Sequence, residues 1–365
     1  MKRSVRQRIV RVMVKHPWLT AGALATGIGA AVAIVVILGV APIGASSGHW
    51  WITAQLLDFA KIRSVQTYSF GIDVPELTET DVVRGASHYA IGCEPCHGGP
   101  GRDLPAVMAG MTPPPPALTE AHIARWTPAN LFTIVKHGIK FTGMPAWPAQ
   151  TRDDEVWAVV AFLRRMPALD ADQYRRLTAG EPPDPPAPKV VRDLCSRCHG
   201  VDGTGRGEGT FPSLAGQRAT YIAGSLRAFT DRRRFSGIMS AVVSGLDDAL
   251  MREAASYYDA LPPRRGNVPA DAAAVTRGER IVRAGIPERD IPPCAECHGP
   301  SAQPKNPAYP RLASQHREYL RRQIQLLKER RRGGTANVSL MHAFVDRLQA
   351  QDVRDAAAYF STLAD

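Results

Sequence analysis

The chain has 365 residues, with 45 Lys and Arg against 34 Asp and Glu, a formal net charge of +11, and only six Cys. This length allows two to four domains. The positive charge could suggest a nucleic-acid partner, but six of the eleven charges lie in residues 1–16, which contain no acidic residue. Because the remaining charge is spread thinly over the chain, the composition argues against nucleic-acid binding.

The N-terminal region has the pattern of a membrane anchor. Residues 1–16 form a basic tail, and residues 18–45 contain no charged side chain. That run is longer than the roughly 20 residues needed to cross a bilayer. A cleaved signal peptide is the alternative, but its apolar region is usually about 7 to 15 residues long, and the best small-residue ending begins with the bulky Ile43. We therefore expect a retained transmembrane anchor over residues 17–45.

The basic tail also predicts the orientation. Positively charged flanks stay in the cytoplasm, so everything after residue 45 is expected on the periplasmic side of a bacterial inner membrane, in a single-pass protein. Residues 46–78 are predicted to be a juxtamembrane linker. At its start, Trp50 and Trp51 favour an aromatic belt at the membrane interface, although they could instead pack on the domain that follows.

Three segments follow the linker. Apolar residues recur at helical spacing and no convincing alternation of strands occurs, so an all-α fold is expected. Proline-rich runs cannot form helix interiors and separate the segments. The predicted boundaries are 79–170 for the first segment, 171–187 for a Pro-rich linker, 188–262 for the second segment, 263–273 for a shorter linker and 274–365 for the third segment.

Each segment contains one Cys-x-x-Cys-His motif, at residues 93–97, 195–199 and 294–298. Two cysteine sulfurs three residues apart can form thioethers to both vinyl groups of a haem, and the histidine that follows can bind the iron. The pattern therefore predicts three covalently attached haem c groups. The predicted attachment sites are Cys93, Cys96, Cys195, Cys198, Cys294 and Cys297, and the predicted proximal iron ligands are His97, His199 and His298.

Two other interpretations of the cysteine pairs fit less well. A zinc site would need a second Cys or His pair near each motif. A thioredoxin-like redox pair would be a single motif that opens a helix in a βαβ unit. Neither requires a histidine directly after the second cysteine in three places. Three haems would also bring roughly six propionates, which would leave the exported part of the chain near neutral.

The second axial ligand decides between an electron carrier and a catalyst, because an open iron site binds exogenous ligands whereas methionine raises the potential and blocks them. Each segment offers one well-placed methionine, at Met144, Met239 and Met341, although a methionine that merely fills the core is the alternative for each. His342 directly follows Met341 and is a competing ligand. The remaining candidates, His88, His122, His137 and His316, are expected to be structural.

The second and third segments repeat each other. Pro212 and Tyr221 recur 98 positions later as Pro310 and Tyr319, and each motif is followed by Gly. This spacing indicates an internal duplication. Arginines at 232–234 and 330–332 occupy matching places, where they could be solvated, pair with propionates or bind an acidic partner.

These residues resemble the duplicated diheme cytochromes of the cytochrome c4 type. The first segment is similar to a class I cytochrome c domain, through its motif and residues 143–147. The resemblance implies a transmembrane helix followed by three cytochrome c-like helical domains with His/Met axial pairs. It also implies that the carbonyl groups of Pro212 and Pro310 accept a hydrogen bond from the proximal histidines. In the first segment the corresponding residue is one of the four consecutive prolines at 113–116, with Pro116 as the candidate.

The expected function is electron transfer by a membrane-anchored triheme cytochrome rather than catalysis. Its expected partners are a quinol-oxidising complex or periplasmic donor and a terminal oxidase or reductase. The alternative is the cytochrome subunit of a membrane-bound dehydrogenase. A peroxidase would require a haem without methionine, and the three methionines argue against it.

Overall fold

The computed structural model describes residues 15–40, 44–179, 186–207, 209–263, 271–300 and 305–363. Within these ranges the regular structure is helical, and extended backbone pairs only in two isolated bridges, Gly99 with Arg102 and Ile286 with Ile291. The expectation of an all-α fold is therefore confirmed.

The first helix, Pro17–Ile37, is apolar and long enough to cross a membrane. None of its residues is buried against the rest of the protein. Proline at its start is favourable because the first backbone N–H groups of a helix have no partner within the helix. Most of the predicted basic tail lies outside the described residues.

A second long helix, Trp51–Tyr68, occupies the segment predicted to be a linker. Val65 is buried in the core of the first segment, and Ile62 packs against that core. Elsewhere the helix carries exposed apolar side chains, among them Trp51, Ile52 and Phe59. The helix therefore packs on the first segment through its C-terminal half.

The first segment is built on two crossed helices, Glu79–Gly92 and Asp153–Arg165. Thr78 caps the first of them in a capping box with Asp81. The two backbones approach so closely that a Cβ at Gly85 would lie 1.9 Å from the Ala158 carbonyl oxygen, which explains glycine at this crossing. The other helices of this segment are Glu94–His97, Ala106–Ala109, Glu120–Ala124 and Pro128–His137.

The helix Ala171–Ala179 extends this core into the predicted linker. Tyr174 is buried beside Tyr89 and Phe162. Because Tyr174 belongs to the same hydrophobic cluster, this helix packs as part of the first segment. Proline-rich residues 180–185 lie outside the described residues.

The third segment has the same crossed pair, formed by Ala272–Ala284 and Ala350–Thr362. A Cβ at Gly278 would lie 2.0 Å from the Asp355 carbonyl oxygen. Its remaining helices are Ala295–His298, Arg317–Lys328 and Val338–Phe344.

The second segment differs from its repeat at the N-terminal end. A five-residue π-helical turn, Val191–Cys195, leads into the motif where the third segment has a full helix. The helices that follow are Ser196–His199, Ala219–Thr230, Gly237–Val243 and Asp248–Ala260. The closing helix Asp248–Ala260 therefore packs on Ala219–Thr230, but the described part of its segment has no long leading helix to cross it.

The second and third segments pack through matching hydrogen bonds. The Gln315 side chain bonds both backbone polar groups of Ser213, at 2.9 and 3.0 Å. In the same way, the Gln217 side chain bonds the backbone groups of Arg311, at 2.9 and 3.0 Å. Because these residues are 98 positions apart in the repeat, the interface pairs equivalent surfaces.

Candidate haem-binding sites

The three motif histidines are held in the same way. The Nδ1 atoms of His97, His199 and His298 lie 2.9, 3.2 and 2.9 Å from the carbonyl oxygens of Pro116, Pro212 and Pro310, respectively. A carbonyl oxygen can only accept, so each Nδ1–H donates and each Nε2 is left with a free lone pair. That tautomer is the one that binds iron, and the proline carbonyl fixes the plane of the ring.

Burial also sets the protonation of two of these rings. It lowers the pKa of His199, and it lowers the pKa of His298, in each case against the opposing effect of the proline carbonyl. A neutral imidazole is required of a metal ligand, because a protonated ring has no lone pair to offer.

The cysteines lie beside these histidines on single helical turns, Glu94–His97, Ser196–His199 and Ala295–His298. Burial raises the pKa of Cys93 and Cys195 to about 12 and that of Cys294 to about 11. A redox-active cysteine has the opposite property, a lowered pKa that exposes the thiolate. The environment therefore disfavours a thioredoxin-like redox pair.

The second segment borders a cavity of about 220 Å³. Its lining includes Cys195, Cys198 and His199 together with Met239. Apolar side chains such as Leu226 and Phe229 form much of the wall. The structure thus brings the predicted attachment sites and both predicted axial ligands of this segment to one cavity.

The third segment has an equivalent cavity of about 160 Å³, lined by Cys294, Cys297, His298 and Met341. The competing ligand His342 is turned away and donates from Nε2 to the Arg332 carbonyl oxygen, at 3.3 Å. Met341 is therefore the candidate axial ligand that this cavity presents.

In the first segment, the predicted iron ligands His97 and Met144 are each held by contacts of their own. His97 is held by Pro116 on a half-buried turn. Met144 lies in a non-helical loop, where its carbonyl oxygen accepts from Ile139 N at 3.1 Å and its N–H donates to Thr142 Oγ1 at 3.1 Å.

A second methionine, Met111, packs against Gly143, the residue before Met144. A Cβ at Gly143 would come within 2.2 Å of the Met111 methyl carbon. Met111 lies far from this loop in the sequence, so nothing in the sequence indicated that the two are in contact.

Two arginines complete the cavities of the second and third segments. Arg332 Nη2 donates to Tyr221 Oη at 2.6 Å, and the equivalent Arg234 Nη2 lies 3.5 Å from Tyr319 Oη. Burial alone would raise the pKa of Tyr221, but the guanidinium groups of Arg332 and Arg234 hold it below its usual value. Such a concentration of positive charge at the end of an apolar cavity suits an anionic group.

The residues present fit haem c. Apolar walls suit the porphyrin ring, an imidazole nitrogen and a thioether sulfur suit its iron, and buried arginines suit its propionates. Of the two arginine clusters, Arg234, Arg331 and Arg332 line the cavities, whereas Arg232 and Arg233 are exposed. The propionate interpretation is thereby favoured for one arginine of the first cluster and two of the second.

The first segment also contributes to the second cavity, which sequence reasoning missed. Arg84, His88, Arg152 and Glu155 line it. His88 is buried, with its ring centroid 5.8 Å from that of Trp147, and burial lowers its pKa to about 3. His316, also expected to be structural, has its Nε2 atom 2.8 Å from the Thr204 carbonyl oxygen.

An all-α fold in which a Cys-x-x-Cys-His motif forms a single helical turn is the architecture of a c-type cytochrome. The family model described as "Cytochrome C oxidase, cbb3-type, subunit III" matches residues 80–163. The family model described as "Cytochrome c" matches residues 275–364.

Similar proteins carry corresponding names. A "Thiosulfate dehydrogenase electron acceptor" from Thiomonas intermedia is 36% identical over 42% of this chain and 71% of its own length. A protein of the same name from Stutzerimonas stutzeri is 32% identical over 56% of this chain and 92% of its own. A "Cytochrome c4" from Thiocapsa roseopersicina is 30% identical over 50% and 93%, respectively. The chain belongs to the c-type cytochromes, which transfer electrons.

Proposed function

We propose that this protein is a membrane-anchored triheme cytochrome that carries electrons in the periplasm. The observation that carries the proposal is the shared wall of the second and third cavities. Tyr221, Leu320, Gln323 and Arg332 line both. Haems held on either side of one layer of side chains would be close enough to pass electrons directly.

Three features of the chain would tune this transfer. The methionine thioethers would raise the potential and exclude external ligands. The proline carbonyls would orient the histidines, and Arg234 and Arg332 would neutralise propionates. The bound haem would supply the reversible one-electron chemistry, and the protein would bind it, orient it and keep water from the iron.

The haem count is tested by measuring the mass and the haem content of the purified full chain. Three covalent haems are expected, and replacing both motif cysteines of one segment by alanine removes one of them. A mass that shows two haems in the unaltered protein contradicts the proposal.

Methionine ligation is tested by redox titration while following the methionine-to-iron absorption band of the oxidised protein. In Met144→Ala the first haem loses its share of the band, its potential falls, and carbon monoxide binds after reduction. Met111→Ala is the matched control, since Met111 packs on the same loop, and it leaves the band intact. If Met111→Ala removes the band and Met144→Ala does not, the ligand assignment passes to Met111.

Membrane anchoring is supported by the apolar helix Pro17–Ile37. The exposed Trp50 and Trp51 and the other exposed apolar side chains of Trp51–Tyr68 would lie at the membrane interface. The full chain should require detergent for extraction, and a chain beginning at residue 46 should be released in soluble form. Release of the full chain by high salt alone contradicts a spanning anchor.

A dehydrogenase is the second candidate for the electron donor. Two relatives are named as electron acceptors of thiosulfate dehydrogenase. Mixing the oxidised protein with a thiosulfate dehydrogenase and thiosulfate, or with a quinol-oxidising complex and quinol, compares the two routes. Faster haem reduction in the first mixture assigns the protein to a dehydrogenase, and faster reduction in the second assigns it to the quinol-linked chain.

A further inference from the structure

Glu155 lies at the junction of the first and second segments. It is 2% exposed and sits in the first turn of the helix Asp153–Arg165. Its Oε1 accepts from Ser236 Oγ at 2.6 Å, and its Oε2 accepts from the backbone N–H of Gly237 at 2.7 Å. Oε2 also accepts from Trp147 Nε1 at 3.1 Å, and Arg152 Nη1 lies 3.1 Å from Oε1.

These donors belong to the loops that carry two candidate iron ligands. Ser236 caps the helix Gly237–Val243, because its hydroxyl accepts from the backbone N–H of Met239 at 3.2 Å. The hydrogen bonds therefore run from Glu155 through Ser236 to Met239. On the other side, Trp147 follows Met144 by three residues in the first segment.

Packing of the two loops at this junction is tight. A Cβ at Gly237 would lie 2.5 Å from the Trp147 ring, so only glycine allows the two loops to meet. Ile238, the next residue, is buried in the hydrophobic core of the first segment. Arg152 Nη1 also donates a hydrogen bond to the Phe235 carbonyl oxygen, at 2.7 Å.

We propose that Glu155 is a positioning residue for the second haem: from the first segment it fixes the loop that presents Met239, and so couples methionine ligation in the second segment to docking of the first. The proposal rests on the proposed function, because it takes Met239 as the axial ligand. Without Glu155, the Ser236 hydroxyl and the Gly237 N–H would be buried with no acceptor, and the loop would move to find new partners.

Glu155 also lines the second cavity, so its charge acts on the haem as well. A negative charge near the iron favours the oxidised state. Two substitutions separate the two effects. Glu155→Gln removes the charge and keeps a hydrogen-bonding amide, whereas Glu155→Ala removes both the charge and the hydrogen bonds.

The experiment uses the full detergent-solubilised chain and measures individual haem potentials, the methionine-to-iron band and carbon monoxide binding. Glu155→Ala is expected to lose about a third of the band, the share of one haem in three, and to bind carbon monoxide at that haem. Glu155→Gln keeps the band and raises the potential of one haem. Ser236→Ala removes only a hydroxyl of the second segment. Like Glu155→Ala, it is expected to weaken the methionine-to-iron band and to allow carbon monoxide binding at that haem.

Matched controls and the opposing outcomes make the test decisive. Asp153→Asn changes another acid of the same helix, which pairs with Lys136, and leaves all three haems unchanged. If Ser236→Ala leaves the methionine-to-iron band and the carbon monoxide binding of the second haem as they are in the wild type, the positioning role is overturned, even where Glu155→Ala fails to fold. Met239→Ala separates this failure from that of the proposed function. If Met239→Ala loses one haem's share of the band while Ser236→Ala and Glu155→Ala keep it, only the role of Glu155 is refuted. If Met239→Ala keeps the whole band, Met239 is refuted as the ligand.

Discussion

The second and third segments are repeats of one another, yet they build their haem sites differently. In the third, Ala272–Ala284 crosses the closing helix and completes the core from within. In the second, a five-residue turn precedes the motif, and Arg84, His88 and Glu155 of the first segment line the cavity instead. The repeat that lacks a long leading helix is therefore completed by its neighbour, which makes its haem the one most dependent on inter-segment contacts.

The largest expected effect comes from blocking the helix crossing of the third segment. Gly278→Ala places a Cβ 2.0 Å from the Asp355 carbonyl oxygen and should destabilise this segment by about 3 kcal/mol. Gly224→Ala is the control in the second segment, because its Cβ meets nothing within 4 Å and replacing helical glycine by alanine stabilises by about 0.5 to 1 kcal/mol. Hydrogen exchange of Ala272–Ala284 measures the effect of Gly278→Ala, and hydrogen exchange of Ala219–Thr230 measures that of Gly224→Ala.

Equal protection of that helix in Gly278→Ala and the wild type would show that the crossing is not what completes the third segment. A large loss of stability in Gly224→Ala would show instead that the second segment has a tight helix contact of its own.

Acid should weaken the junction that completes the second segment. Burial, aided by Arg84 and Arg152, lowers the pKa of His88 to about 3, whereas an unfolded histidine titrates near 6.5. Between these values the unfolded chain binds a proton that the folded chain does not. The free energy of unfolding therefore falls as the pH drops below 6.5, by about 2 kcal/mol between pH 7 and pH 5.

Urea unfolding at both pH values, followed at the haem band of each segment, measures this loss. His88→Phe should remove the pH dependence of the first and second segments. His137→Gln changes an exposed histidine and should leave it intact. A dependence that persists in His88→Phe assigns the acid sensitivity to another group.

Much of this architecture follows from local sequence, and the junction does not. The motifs, the helical order and the methionine positions follow from spacing within each segment. The pairing of Arg332 with Tyr221 could have been found from the 98-residue repeat, since each tyrosine meets the arginine of the other copy. The contact of Glu155 with Ser236 joins residues 81 positions apart with no repeat between them, so sequence alone offered no signal.

Ligand choice in the third segment gives an effect confined to one haem. Met341→Ala should lower the potential of the third haem and open it to carbon monoxide, because methionine both raises the potential and occupies the iron. His342→Ala should leave the band intact, since His342 is bonded to the Arg332 carbonyl oxygen. If His342→Ala opens the haem and Met341→Ala does not, the third segment uses a different axial ligand from its repeat.

The smallest expected effect separates two arginines of one cluster. Arg332 lines both the second and the third cavity, so its charge favours the reduced state of both haems. Arg332→Gln should lower both potentials by an amount on the order of 1 kcal/mol per haem. Arg330 forms an exposed ion pair with Asp346 at 2.6 Å, and Arg330→Gln should change neither potential. If Arg332→Gln shifts the potential of only one haem, the Arg332 charge acts on the haem of one segment although its side chain lines both cavities. The two repeats would then differ in electrostatics even though their contacts match.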